Sequence, residues 1–210
     1  MLFRSRAADV FNNRGNVLKE LHRWNESIES YGRALALKPD YAEAFANRAN
    51  ALREASRLDD ALADYAQAIA LRPDHAGFHV SRGNALKEVR RPVEALAAYD
   101  RAIALQPDSA EAYCGRGDTL RLLGRTDEAV ESYGRAIALK PDYAEAFNNR
   151  GVALFALNRL SEAAEDCDRA IALDPARAEA LNNRGVVRFA LERFAEAAEE
   201  DRKSTRLNSS

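Results

Sequence analysis

The sequence predicts an all-α protein built from tandem two-helix repeats, and three observations predict it. Prolines keep a fixed step, with Pro39, Pro73, Pro107, Pro141 and Pro175 each 34 residues apart. Between successive prolines run two apolar stripes, both at helical rather than strand spacing. Alanine, leucine, arginine and glutamate, all good helix formers, dominate the remainder. A self-similar period of this length is the signature of a stacked array, in which each unit buries its apolar face against its neighbours.

Placing the proline at position 32 starts the repeats near Ala8, Ala42, Ala76, Ala110, Ala144 and Ala178, five complete and a sixth partial. Helix A of each repeat carries a large residue at position 4 (Phe11, Phe45, His79, Tyr113, Phe147, Leu181). It carries a tiny one at position 8 (Gly15, Ala49, Gly83, Gly117, Gly151, Gly185), with position 11 completing the stripe. Helix B carries Ser27 or alanine at position 20, then Tyr31, Tyr65, Tyr99, Tyr133 or Cys167 at position 24, and alanine at position 27. Small residues at 8, 20 and 27 let the helices approach, and the aromatics at 4 and 24 fill the gaps. The polar turn between them holds arginine at position 16, and Asn25, Asp59, Asp127 and Ser161 are the expected N-caps of helix B. The Pro-Asp pairs are expected to stop helix B and to supply an aspartate cap for the next helix A.

This pattern resembles the tetratricopeptide repeat family nearly throughout residues 8 to 200: large-4, Gly-8, large-11, Ala-20, Tyr-24, Ala-27, Pro-32. The resemblance implies a right-handed solenoid whose helices A line the inner surface, with a protein or peptide as its ligand. Two departures stand out. Position 7, usually leucine in the family, is arginine in every repeat (Arg14, Arg48, Arg82, Arg116, Arg150, Arg184), and position 11 of the sixth repeat is Arg188.

Composition narrows the function classes. A formal charge of −2 offers no general attraction to nucleic acid or anionic membrane, so neither is expected as a partner. No run of 18 apolar residues occurs. Two cysteines, Cys114 and Cys167, fit a reducing compartment and a cytoplasmic setting rather than a disulfide framework. The chain has no glycine-rich phosphate loop, nucleophile elbow or paired carboxylates at a cleft, so no catalytic residue and no cofactor is assigned. His75 and His79 have the i, i+4 spacing of helical metal ligands, but they occupy packing slots and lack a third ligand, so no metal is expected. Cys114 at position 5 is placed in the groove without an activating neighbour, and Cys167 replaces a core tyrosine as a small hydrophobe. The position-7 arginines are expected to lay their stems over the packing face and pair with nearby acids.

Positions 2, 5, 6, 9, 12 and 13 fall on the face of helix A opposite the packing stripe, which makes them the candidate peptide groove. Position 6 contributes Asn13, Asn47, Asn149 and Asn183; position 9 contributes Asn16, Asn50, Asn84 and Asp118. Position 12 contributes Lys19, Arg53, Lys87 and Arg121, then Phe155 and Phe189, while Val152 and Val186 take position 9 in the last two repeats. Asparagine is a mediocre helix former, and its amide offers a donor and an acceptor to a peptide backbone. The expected function is a protein-interaction scaffold holding an extended peptide segment, polar or acidic at one end and apolar at the other, with Phe155 and Phe189 as hot spots. The position-6 asparagines also resemble those of the repeat arms of O-linked N-acetylglucosamine transferases, interrupted here by Ser81 and Gly115. That resemblance implies an alternative, the substrate-recruiting arm of a glycosyltransferase whose catalytic domain lies beyond this chain. The family's chaperone-binding carboxylate clamp is matched only by the position-9 asparagines, since position 5 lacks lysine and position 2 is mostly acidic (Asp9, Glu43, Glu111, Glu145, Glu179).

The ends break step with the repeat. "DRKSTRLNSS" (201–210) puts Asp201 where a tyrosine is due, and it can be written GAT CGG AAG AGC ACA CGT CTG AAC TCC AGT, which resembles a short-read sequencing adapter. "MLFRS" (1–5) matches the reverse complement of the same adapter's end. Both segments are therefore expected to be adapter-derived, leaving residues 6–200 as the repeat array.

Overall fold

The computed structural model describes the backbone of residues 2–207 and the side chains of residues 6–193. Among these residues the chain is helical throughout, and it forms two compact units, Met1–Thr119 and Leu120–Ser210. The N-terminal unit holds α1 (Leu2–Glu20), α2 (Trp24–Leu37), α3 (Ala42–Glu54), α4 (Leu58–Leu71), α5 (Ala76–Glu88), α6 (Pro92–Leu105) and most of α7 (Ala110–Leu122). The C-terminal unit holds the end of α7, then α8 (Thr126–Leu139), α9 (Ala144–Ala156), α10 (Leu160–Leu173) and α11 (Ala178–Leu207). Odd-numbered helices are the A helices of the repeats, and even-numbered ones the B helices.

Each of the first five A helices ends in a Schellman turn. In α1 the His22 N–H bonds the Lys19 carbonyl at 2.9 Å and the Arg23 N–H bonds the Leu18 carbonyl at 2.9 Å, with His22 left-handed at φ 56°. Ser56, Arg90, Gly124 and Asn158 repeat that geometry at φ 57–75°. The chain passes from this turn straight into helix B, so position 16 becomes the N-cap (Arg23, Arg57, Arg91, Arg125, Arg159) and bonds through no cap side chain. Asn25, Asp59, Asp127 and Ser161 are thus corrected from caps to residues inside the first turn. The arginine instead reaches the acid three residues on (Glu26, Asp60, Glu94, Glu128, Glu162) at 2.6–2.7 Å, placing negative charge at the positive end of the helix dipole.

The proline turn also differs from expectation. Pre-proline Lys38 is forced extended (φ −137°, ψ 86°), and Pro39 and Asp40 are the central residues of a turn closed by Tyr41 N–H to the Lys38 carbonyl at 3.3 Å. The aspartate is spent inside the turn, so Tyr41 precedes α3 without capping it through a side chain. Before α7, Ser109 does cap, its Oγ accepting the Ala112 N–H at 3.3 Å.

The core follows the predicted stripes. In the N-terminal unit Tyr31, Tyr65 and Tyr99 are fully buried. A Cβ on Gly15 would stand 2.5 Å from the Tyr31 ring, and one on Gly83 2.9 Å from Tyr99. In the C-terminal unit Cys167 lies over Gly151, and Leu154, Ala163, Cys167 and Val187 form the buried cluster.

Four of the six position-7 arginines pair with acids, as the sequence suggests, while Arg14 and Arg82 make no ion pair among the described residues. Arg48 grips Asp64 with two bonds of 2.6 and 2.7 Å and Arg150 grips Asp166 with two of 2.7 Å, both using the aspartate at position 23 of their own helix B. Arg116 and Arg184 turn back to Asp100 and Asp168 at position 25 of the preceding helix B. Arg188 joins the same Asp168 at 3.3 Å. Arg82 finds alanine at both places, Ala98 and Ala66, and makes no ion pair among the described residues.

The sixth repeat differs. Where the others turn, α11 continues as one 30-residue helix through Glu192 and on to Leu207, into the segment 201–210 set apart above. Among the described residues nothing lies within 4 Å of a Cβ added to Gly185, and Leu181 and Phe189 are 42% and 65% exposed.

Glycines at the same repeat position should therefore respond oppositely. Gly83→Val should lower the unfolding free energy by about 1–3 kcal/mol through overpacking against Tyr99. Gly185→Ala should raise it by about 0.5–1 kcal/mol, since the methyl meets no neighbour and restricts the unfolded chain. Urea denaturation of the two variants measures both.

Candidate functional site

The N-terminal unit contains a cleft of about 400 Å³ along its A helices. Position 9 supplies Asn50 and Asn84, position 12 supplies Lys19 and Arg53, and position 6 supplies Ser81. Glu20, Glu54 and Glu111 add carboxylates, and His22 and Trp24 close one end. Helical periodicity puts positions 6, 9 and 12 on one face of each A helix, and the packing of successive helices brings those faces and the α1–α2 turn together.

The position-9 asparagines have a role that the sequence reading did not assign. Tyr31, Tyr65 and Tyr99 donate their hydroxyl protons to Oδ1 of Asn16, Asn50 and Asn84 at 2.7, 2.6 and 2.5 Å. A phenol with its ring fully buried needs an acceptor for its hydroxyl, and the amide oxygen provides it. Burial pushes the Tyr65 hydroxyl up to about 12 and raises Tyr31 and Tyr99 as well, so the phenols stay protonated donors. With Oδ1 turned to the core, the amide is oriented, and its Nδ2 is the end left over. None of the three amide nitrogens has a protein partner among the described residues. The sequence held the signal: in the fifth repeat the tyrosine becomes Cys167, which has no hydroxyl, and position 9 becomes Val152.

Position 6 is partly spent on packing. Asn47 donates its Nδ2 to Asn12 Oδ1 at 3.0 Å, and Asn183 donates to Asn148 Oδ1 at 2.9 Å, each reaching position 5 of the preceding repeat. Asn149 accepts from Asn148 at 3.2 Å, and Asn13 is exposed. Position 5 is accordingly corrected from groove to interior: Asn12, Ala46, Val80, Cys114 and Asn148 are all buried, and α1, α3 and α9 each meet the next helix A.

Position 12 is mixed. Lys19 lies 3.6 Å from Glu20, Arg53 lies 3.0 and 3.6 Å from Glu54 and Glu88, and Lys87 bonds Asp118 at 2.6 Å. Arg121 is exposed. In the C-terminal unit a smaller cleft of about 150 Å³ is lined by Val152, Phe155, Asn183, Val186 and Val187. Phe155 is half-buried, packing on the Leu154–Val187 cluster while also lining this cleft, and Phe189 is exposed.

The remaining candidates have structural roles. His79 Nε2 is 3.0 Å from the Pro73 carbonyl, whereas His75 stacks on Phe78 with ring centroids 3.9 Å apart, so the two imidazoles do not converge. Cys114 is 2% exposed and Cys167 fully buried, and burial pushes the Cys167 thiol up to about 11. Among the described residues no group of three His, Cys, Asp or Glu side chains forms a metal site, and no helix is long and apolar enough to cross a membrane.

Models of the TPR repeat match residues 15–53, 49–89, 94–124 and 117–158, and models of the tetratricopeptide repeat match 144–176 and 168–210. No curated protein matches the chain significantly. Among solved structures, PilW, a widely conserved type IV pilus biogenesis factor, is 20% identical with a TM-score of 0.82, over 93% of this chain and 91% of that one. Pseudomonas aeruginosa pilF is 19% identical with a TM-score of 0.81, over 97% and 93%. YrrB, a TPR protein with an unusual peptide-binding site, is 24% identical with a TM-score of 0.67, over 83% and 90%. At such identities these likenesses speak to the fold.

The buried phenols predict an alkaline limit to stability. Tyr65 titrates near 10 when unfolded and near 12 in place, so the stability it lends is complete below pH 10 and is lost as pH rises from 10 to 12. At pH 11 its share of the loss should be about 1 kcal/mol. Urea unfolding at pH 9 and pH 11 should show the decline, and Tyr65→Phe should make it shallower.

Proposed function

Because the chain belongs to the tetratricopeptide repeat family, we propose that it is a non-catalytic scaffold that holds an extended segment of a partner protein in the cleft of its N-terminal unit. The observation that carries this reading is the pair of oriented, unpartnered amide donors of Asn50 and Asn84 in that cleft. Backbone carbonyls of an extended segment present acceptors at regular intervals, and fixed donors hold them without ordering a mobile side chain on binding. Lys19 and Arg53 sit beside them, but each already leans on a glutamate, so charge tunes association more than it supplies affinity.

The C-terminal unit offers a different surface in its own right. Val152, Phe155, Val186 and Val187 form an apolar recess suited to one hydrophobic side chain of a partner.

Panning a random peptide display library against the intact chain tests the reading. Recovered peptides should lose about tenfold in affinity for the Asn50→Asp, Asn84→Asp double variant. Aspartate keeps the oxygen that Tyr65 and Tyr99 need while removing the donor, so melting should change little. Peptides whose affinity ignores both substitutions would locate binding elsewhere.

A further inference from the structure

We propose that the cleft of the N-terminal unit is a site for a polyproline II segment, a proline-rich stretch with a basic side chain at one end. The proposal rests on the scaffold reading above and narrows its ligand.

The first argument is a count of hydrogen-bonding groups. Asn50 and Asn84 face the cleft with Nδ2 donors while Oδ1 of each is engaged by a tyrosine hydroxyl. An ordinary extended peptide brings alternating N–H and C=O groups, and only its C=O groups match the two amide donors. A run of prolines brings carbonyls and no N–H at all. In the polyproline II form those carbonyls make no internal bonds and point outward, so they match a row of donors.

The second argument is Trp24, the single tryptophan of the chain. It is half-buried at the cleft's end, and its ring is braced edge-on by His22, with centroids 5.1 Å apart at 78°. A flat indole lining the same cleft as hydrogen-bond donors is the combination by which aromatic-lined grooves take proline rings. A preformed polyproline helix also loses little conformational entropy when it docks.

The third is charge. Three carboxylates, Glu20, Glu54 and Glu111, face two cations, and Lys19 and Arg53 are already within 3.6 Å and 3.0 Å of Glu20 and Glu54. Glu111 makes no ion pair among the described residues. The cleft thus favours a cationic side chain over an anionic one.

Decaproline, titrated into the intact chain while Trp24 fluorescence is followed, is the direct probe. The expected result is a saturable shift, with binding about fivefold tighter when an arginine is appended to the peptide. Trp24→Ala, titrated by calorimetry because it removes the fluorophore, and Asn50→Asp should each weaken decaproline binding about fivefold or more. Circular dichroism should show that Asn50→Asp, which keeps the Tyr65 bond, still folds. Glu111→Gln should remove the arginine preference. Decaproline that causes no shift at millimolar concentration, or that binds the Asn50→Asp chain equally well, overturns the proposal. A glycine-serine peptide of the same length that binds where decaproline does not also overturns it, while leaving the scaffold reading intact.

Discussion

The ring of each helix-B tyrosine fills space that only glycine or alanine on helix A leaves open, and much else follows from that contact. Gly15 and Gly83 have no room for a Cβ beside Tyr31 and Tyr99. The close approach sets the distance between the two helices of a hairpin, and burial of a whole phenol supplies a large share of each repeat's apolar area. It also creates a debt at the far end of the ring, because a buried hydroxyl must find an acceptor. The acceptor is the position-9 amide, on the residue that directly follows the small one. Core packing and the chemistry of the cleft are therefore a single constraint: the tyrosine orients the asparagine, and the asparagine shows the cleft its donor end.

The C-terminal unit illustrates the same coupling by its exception. Cys167 carries no hydroxyl and occupies less space, so Gly151 has 3.2 Å between a built Cβ and the sulfur. Nothing in that hairpin needs an amide acceptor, and position 9 is Val152. Val152 then helps line an apolar recess with Phe155 and Val187. The apolar lining of that recess is thus a consequence of the core residue behind it.

The repeat period, the two helices per repeat and the tyrosine core were legible because each depends on spacing and residue size. Two other features were misread for physical reasons. Capping propensity pointed to Asn25, Asp59, Asp127 and Ser161, but a Schellman turn leads so directly into helix B that position 16 takes the cap place whatever its side chain. A helical wheel also grants helix A one packing face, whereas a stacked array gives it two. Position 5 meets the neighbouring A helix, which is why Asn12 and Asn148 are buried and receive Asn47 and Asn183. The pairing of tyrosine with asparagine was written in the sequence as the joint change to Cys167 and Val152, a signal visible only when the repeats are compared with one another.

The turn between the helices shows how far tertiary contact governs local conformation here. Five different residues occupy the left-handed position, His22, Ser56, Arg90, Gly124 and Asn158, and only the glycine and the asparagine suit it by nature. A left-handed His, Ser or Arg costs roughly 1 kcal/mol against the helical alternative, so local sequence cannot be what breaks helix A. What offsets the cost is the hairpin that the turn permits: a tyrosine or cysteine packed over position 8, with a serine or alanine beneath it. The sixth repeat supplies the contrast. Arg193 stands at the usual position 16, yet among the described residues nothing lies over Gly185, and Glu192 stays helical within α11. Without the packed ring there is no gain to set against the left-handed residue, and the chain takes the conformation its helix formers prefer.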